Sequence, residues 1–422
     1  MIIKRRTFTI SVVIVTGISL FIASLLSKGG MAWESSRPKY IMWSLSVVIF
    51  MALFALIIIK DQVKIKLIKL RWCVAKDISL WVSLSVIFAV LGFFWGALNS
   101  SPLHYLFGDT FKYILLPFGF LLVLAFIRTK HDSNILLLLL AGLSIFPGLG
   151  VGDSGFLLSL AIAIALTRCG IFFKLFLFVA LIYTASIGKT TVLMVAFVLL
   201  LTWYICPALK FRGLLGYICI ILALIAVVWV ASPQLVKSTG AYQKTAYMIN
   251  NLSENYTELD KSTFQRIQEG ILVVEKFQDH GDIENLLIGF GNGATYKVEG
   301  LPEGYQEMLE ARFGGYAHHI HLNVLFIFHQ WGVLGVSLMV WLLVILAKVA
   351  KMLRVYWYSI SDEVKFTLLG SYLMMVTFIF YGVVNPPKTT VIYAGMILAI
   401  LAIELDRVID HVSKRNKQAA EV

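Results

Sequence analysis

Residues 314–346 read GGYAHHIHLNVLFIFHQWGVLGVSLMVWLLVIL. From Leu322 to Leu346 there is no Asp, Glu, Lys or Arg, and the run exceeds the ~20 apolar residues an α-helix needs to cross about 30 Å of hydrocarbon. In lipid every backbone polar group must be satisfied internally, so the run reads as a membrane helix. His318, His319 and His321 crowd the four residues before it. Titratable imidazoles thus stand at the mouth of a membrane helix.

The same apolar pattern recurs along the chain. With 59% hydrophobic and 14% charged residues, the composition lies far outside soluble domains, which are near half apolar and a quarter charged. The expected fold is an all-α polytopic membrane protein with about 12 crossings. They fall near Phe8–Leu26, Ile41–Ile59, Ile78–Leu98, Phe111–Ile127, Asn134–Val151, Ser154–Leu166, Ile171–Ser186, Thr190–Cys206, Leu214–Ala231, Leu322–Leu346, Phe366–Val384 and Thr390–Leu405. The tight breaks FPGLGVGDSG and IGKTT separate the middle pairs, with a broken helix as the alternative at each. Apolar residues after Lys4, Arg5 and Arg6 read as a retained first helix, since no convincing small-residue cleavage site follows.

Every second connection is rich in Lys and Arg, from the amino-terminal KRR to the closing SKRNK. By the positive-inside rule both termini are cytoplasmic. Residues 1–231 then hold nine crossings, 232–321 form one long loop on the opposite side, 322–405 hold three more crossings, and 406–422 are a cytoplasmic tail. From Ser232 to Ala317 there are 12 acidic and 7 basic side chains, so the net charge of +12 reports sidedness and not nucleic-acid binding. Cys73, Cys169, Cys206 and Cys219 all lie outside the loop, so no disulfide framework holds it.

The loop reads as a small helical cap resting on the bundle. TFQRIQEGILVVEKF places Phe264, Ile267, Ile271, Val274 and Phe277 at helical spacing, with Arg266, Glu269 and Lys276 off that stripe. Ser262 and Gln265 suit a capping box at its start. NLLIGFGNGATY reads as an apolar run breaking into a glycine turn.

Candidate chemistry gathers around this cap. The HHxH cluster has three readings: metal ligands, idle surface imidazoles, or a general base taking a proton from a hydroxyl near neutral pH. No carboxylate stands at a matching spacing, and no metal or other cofactor is assigned. Arg266 is either an ion-pair partner on an acidic cap or a fork onto a phosphate, and Arg312 carries the same two readings more weakly. Lys189, in SIGKTTVL, has almost no loop to solvate it; it is an interface lysine or a functional charge. Lys388, in NPPKTT, reads first as an interface anchor. GKTT lacks the upstream glycine and strand of a phosphate loop.

Together these segments resemble the bacterial O-antigen ligase family, which includes polysaccharide polymerases and protein O-oligosaccharyltransferases of the same build. Members carry about twelve crossings with one long periplasmic loop between the ninth and tenth. SIGKTTVL is similar to a family segment that usually has arginine where Lys189 stands. FQRIQEGILVVEKF matches at Arg266, IGFGNG resembles the Gly-x-Gly turn, and HIHLNVLFIFHQWGVLG resembles the His-Asn-x-x-Leu segment before a Gly-x-x-Gly helix. Leu322 replaces the usual asparagine, and Gln330 stands where an acid is common.

The resemblance implies an inverting, metal-independent transfer of polysaccharide from a polyprenyl (undecaprenyl) diphosphate to a sugar hydroxyl of lipid A–core, at the periplasmic face of the bacterial inner membrane. His321 is the expected catalytic base, with His319 as runner-up. Arg266 and Lys189 are the expected diphosphate ligands, with Arg312 and Lys388 as weaker candidates. The partners implied are the lipid-linked glycan donor, the lipid A–core acceptor and membrane lipids, with no nucleic acid. A polymerase using the same donor and a lipid-linked glycan flippase are the alternatives; a flippase predicts internal repeats and charges near the midplane, which this chain does not display convincingly.

Overall fold

A computed structural model describes residues 73–127, 129–143, 154–167, 171–187, 189–207, 261–280, 282–297, 316–318, 322–384 and 391–420, with Leu70, Gln234, Lys237, Glu307 and Ile320. The first, second and ninth expected crossings and much of the long loop lie outside the described residues. The described helices are α1 Cys73–Leu98, α2 Leu103–Phe126, α3 Lys130–Leu143, α4 Ser154–Thr167, α5 Ile171–Ile187, α6 Lys189–Ile205, α7 Lys261–Asp279, α8 Ile283–Ile288, α9 Asn323–Tyr356, α10 Asp362–Val384 and α11 Val391–Ala420. A two-residue antiparallel ladder pairs β1 (Tyr296–Lys297) with β2 (Tyr316–Ala317).

Among the described residues, Cys73–Leu98, Tyr105–Ala125, Asn323–Ser359 and Asp362–Phe380 are long and apolar enough to cross a membrane. Gly155–Thr167 and Leu193–Ile205 are shorter apolar helices. The protein is an all-α membrane protein.

The bundle is organised around α11. Every residue from Val391 to Leu405 is buried, as expected of a helix apolar around its whole circumference. It packs against α2, α10 and α1, while α10 also packs on α4. Two glycines allow the closest approach. A Cβ on Gly119 would strike the Ile392 carbonyl, and one on Gly395 would strike the Leu116 carbonyl. Small residues let membrane helices meet backbone to backbone, where packing supplies the attraction that lipid does not. On the opposite side of α1, Leu80, Ile87, Leu91, Phe94 and Leu98 are exposed, as a lipid-facing stripe should be.

Helix ends depart from the hydropathy reading where charges interrupt an apolar run without interrupting the helix. Helix α2 begins at Leu103 instead of Phe111, which takes Asp109 into its second turn. Helix α9 runs on to Tyr356 through Lys348, Lys351 and Arg354, and α11 continues to Ala420 through the basic tail. Lys and Arg are good helix formers, so the backbone continues past the apolar run. Helix α7 already includes Lys261, so Ser262 lies inside the helix and is not its cap.

The apolar stripe of α7 turns mostly away from the protein. Ile267, Ile271 and Val274 are exposed, whereas Glu269, Leu272 and Val273 are buried. Of the described members of that stripe, only Phe277 packs inward, against the cluster of Leu272, Val273, Tyr296, Ala317, Ile320 and Phe326. Helical period says which residues share a face; it does not say which medium that face meets.

Candidate functional site

The site is built on a break in α9. Gly332 has φ +61° and ψ −155°, a region essentially closed to other residues. The break leaves the His329 and Gln330 carbonyls to partners outside the helix. The turn after α8 supplies them: Phe290 N–H donates to the His329 carbonyl and Gly291 N–H to the Gln330 carbonyl, both at 2.9 Å. Gly289, Gly291 and Gly293 each take positive φ, so the GFGNG turn folds tightly enough to enter the bundle.

Helix α1 receives it from the other side. Asn292 N–H donates to the Gly92 carbonyl at 2.8 Å, and Trp95 Nε1 donates to the Gly289 carbonyl at 2.8 Å. The Asn292 side chain is buried and used at both ends. Its Nδ2 donates to the Ala89 carbonyl at 3.0 Å and to Thr110 Oγ1 at 2.8 Å, while its Oδ1 accepts from Trp331 Nε1 at 2.8 Å. A Cβ on Gly92 would lie 2.6 Å from Asn292 Oδ1, so the absence of a side chain there makes the seat.

Asp109 is the hub. It is 1% exposed and lies in the second turn of α2. One carboxylate oxygen accepts from Lys112 Nζ at 2.9 Å. The other faces His318 Nε2 at 3.0 Å, accepts from Gly293 N–H at 3.1 Å, and accepts from Gln330 Nε2. Gln330 Oε1 in turn accepts from the Tyr113 hydroxyl at 2.8 Å. One carboxylate therefore joins α2, the glycine turn, the histidine segment and the broken helix. Left unpaired at this depth, each group would cost heavily.

His318 is held at both ends. Its Nδ1 donates to the Ala294 carbonyl at 2.9 Å, its Nε2 faces Asp109, and its ring stacks on Tyr105 at 4.2 Å between centroids. A histidine with both nitrogens engaged has none free to take a substrate proton. Its work is to clamp the segment that carries His319 and His321.

Helix α7 covers this segment. Leu272 and Val273 share a buried cluster with Ala317 and Ile320, and Gly270 lies where a Cβ would meet Leu325 at 3.2 Å. Arg266, Glu269, Val273 and Lys276 follow the 3–4–3 spacing of one helix face. Lys276 Nζ donates to the Thr295 carbonyl at 2.6 Å, lies 3.2 Å from His329 Nε2, and sits 3.9 Å over the Phe290 ring. Burial pushes its pKa down to about 8. The ammonium makes His329 Nε2 the acceptor, so His329 Nδ1 carries the ring proton. That nitrogen is buried and has no partner among the described residues. Arg266 is half-buried, and its Nε is shielded from solvent without a hydrogen-bond partner among the described residues.

Of the residues singled out from the sequence, Arg266 is thus placed on the inward face of α7. Lys189 is the first residue of α6, with its side chain outside the description. His319, His321, Arg312 and Lys388 lie outside the described residues. The reading from sequence overlooked Asp109 and the Lys276–His329 pair. An acid three residues from a lysine in FGDTFKY, at the edge of an apolar run, was the available signal. No family model matches the chain, and no curated protein matches it.

Proposed function

We propose that this protein is a membrane glycosyltransferase of the O-antigen ligase type. It takes polysaccharide from a polyprenyl diphosphate and passes it to a sugar hydroxyl of lipid A–core. In this reading the chain has about twelve crossings, lies in a bacterial inner membrane with both termini in the cytoplasm, and works at the periplasmic face. The observation that carries the reading is the packing of α7's inward face, with Arg266 on it, against the segment flanked by His318 and Ile320. That packing brings a helix whose Arg266 Nε has no hydrogen-bond partner among the described residues against the chain on either side of position 319, which supports the reading.

The chemistry follows from those parts. His321 takes the proton of the acceptor hydroxyl, with His319 as the alternative base. The hydroxyl oxygen attacks the anomeric carbon from the face opposite the diphosphate, the bond to the leaving oxygen breaks, and configuration inverts. Arg266 and Lys189 offset the charge that grows on the departing polyprenyl diphosphate, in a site where partial dehydration strengthens each interaction. The leaving group carries the energy, so no nucleotide is consumed.

Deletion of the gene followed by gel analysis of lipopolysaccharide tests this. The ligase reading expects core without polymer while lipid-linked polymer accumulates. Core bearing a single repeat would make the protein a polymerase, and loss of lipid-linked glycan from the outer face would make it a flippase. Complementation with His321→Ala is expected to leave protein level unchanged and restore no ladder; a full ladder removes His321 from the base role.

A further inference from the structure

Both described helices of the cap expose an aliphatic stripe that a domain in water would bury. On α7, Glu269 is 0% exposed while Ile267, Ile271 and Val274 are 49%, 43% and 47% exposed. On α8, Asn285 is 8% exposed while Ile283, Leu286 and Leu287 are 74%, 46% and 44% exposed. Each helix turns a branched aliphatic stripe away from protein, opposite a buried polar side chain, with Leu272 and Val273 of α7 buried as well. A soluble domain does the reverse, because apolar area leaves water. The pattern is what a helix shows when hydrocarbon lies on its outer side.

The placement of α8 agrees. Its last turn is seated between two membrane spans: Gly289 accepts from Trp95 on α1, and a Cβ on Gly332 of α9 would lie 2.5 Å from the Leu287 carbonyl group. Exposed Phe94 and Leu98 of α1 and exposed Val333 and Leu334 of α9 flank that seat. The exposed apolar residues of α8 thus sit beside two spans whose own exposed residues are apolar. The following turn is irregular backbone, tolerated at membrane depth only where protein satisfies it, and the N–H groups of Phe290, Gly291, Asn292 and Gly293 all have partners. The charged residues of the connection, Asp279, Asp282 and Glu284, are exposed and cluster where α7 ends and α8 begins, as they would at the headgroup level.

We propose that α7 and α8 are membrane-embedded: α7 lies in the plane of the interface with Ile267, Ile271 and Val274 toward the acyl chains, and α8 descends from it as a re-entrant segment whose Ile283, Leu286 and Leu287 face lipid. An in-plane helix sinks its apolar face about 5–10 Å into the headgroup–acyl boundary, and six residues of α8 descend roughly 9 Å at 1.5 Å per residue. The cap is then a part of the bundle and not a water-borne lid. This holds whether or not the protein transfers sugars.

The test is collisional accessibility of spin labels. Single cysteines are placed at positions 271, 274, 283 and 287, and at 275 and 279 as aqueous controls, in the full chain with its native cysteines replaced. The labelled protein is reconstituted in phosphatidylcholine–phosphatidylglycerol vesicles. The expected result is that oxygen outcompetes a nickel chelate at the first four sites and the chelate dominates at the two controls. Chelate access at 283 and 287 equal to that at 275 overturns the proposal and leaves an aqueous apolar face suited to a protein partner. Wild-type protein labelled with a diazirine-bearing phospholipid gives a second readout free of substitutions. Adducts within 267–287 are expected, and adducts on α1 with none in that segment would also overturn it.

Discussion

Replacing Asp109 separates a hub from a decoration, because its two nearest substitutes differ in what they leave behind. In Asp109→Ala the Gly293 N–H, the Gln330 amide and His318 Nε2 lose a shared acceptor within the bundle. A buried donor without an acceptor costs about 1–3 kcal/mol, so three amount to roughly 3–9 kcal/mol as an upper range, since neighbours that share one acceptor do not add independently. Whole domains are stable by only about 5–15 kcal/mol. In Asp109→Asn the amide oxygen can stay with the inner donors while the amide nitrogen turns toward Lys112. The lysine side chain is 29% exposed and can swing to water, which keeps the cost near the ~1.5–3 kcal/mol of one charge-assisted bond. Unfolding of the detergent-purified full chain, by heat and by denaturing detergent and followed by loss of the monodisperse size-exclusion peak, is the assay. Asn is expected to give the smaller shift and Ala the larger loss. Equal midpoints for the two variants would refute the idea that this carboxylate holds the turn, the histidine segment and α9 together.

Other perturbations probe neighbouring parts. Gly332→Ala forces a side chain into a conformation costing about 1–3 kcal/mol and puts its Cβ 2.5 Å from the Leu287 backbone. It should lower the midpoint well below that of Gly108→Ala, where nothing stands within 4 Å, and a smaller loss than at Gly108 would contradict the break. Lys276 has its folded pKa depressed to about 8 from 10.5, so between those values the unfolded chain binds more protons and stability from this group rises with pH. Wild type is therefore expected to gain on Lys276→Met as pH climbs through that window; a pH-independent difference would mean the ammonium is not desolvated. In a reconstituted transfer assay Lys189→Arg should retain more activity than Lys189→Ala. Arg266→Ala should lose activity that Arg266→Lys restores in part, because a point charge lacks the planar fork; equal rates for all forms would leave both as interface cations.

The membrane class was legible from Leu322–Leu346 alone, because a charge-free run of that length has few alternatives. The glycine turn was legible as a turn, since GFGNG offers the positive φ values it adopts. What it docks into was not. Gly92, Gly96 and Gly332 lie far from it in the chain, and their lack of a side chain matters only once the three backbones meet. Asp109 was lost for a different reason: a hydropathy window closes at an acid, whereas the helix runs through it because His318, Gln330 and a backbone N–H supply what water would have supplied. The stripe on α7 was legible as a stripe, but which side it faces was not. Ile267, Ile271 and Val274 mark one face, and the burial of Glu269, Leu272 and Val273 marks the protein side.

That outward stripe and the polar hub have a common cause. Where lipid lies outside, apolar contact gives little preference for one neighbour over another, so position must come from hydrogen bonds and close backbone packing. The cap is fixed in this way: by carbonyls freed at Gly332, by both ends of Asn292, and by four partners on Asp109. His318 is clamped between Asp109 and Ala294, and Ile320 is 0% exposed, so the chain is pinned on both sides of His319. His321 follows directly after the second pin, and α9 starts at Asn323. An imidazole that must meet a hydroxyl at hydrogen-bond distance gains from such pinning, because small misplacements of reacting groups cost rate steeply. In the transferase we propose, the polar network that cements the structure would also aim the base.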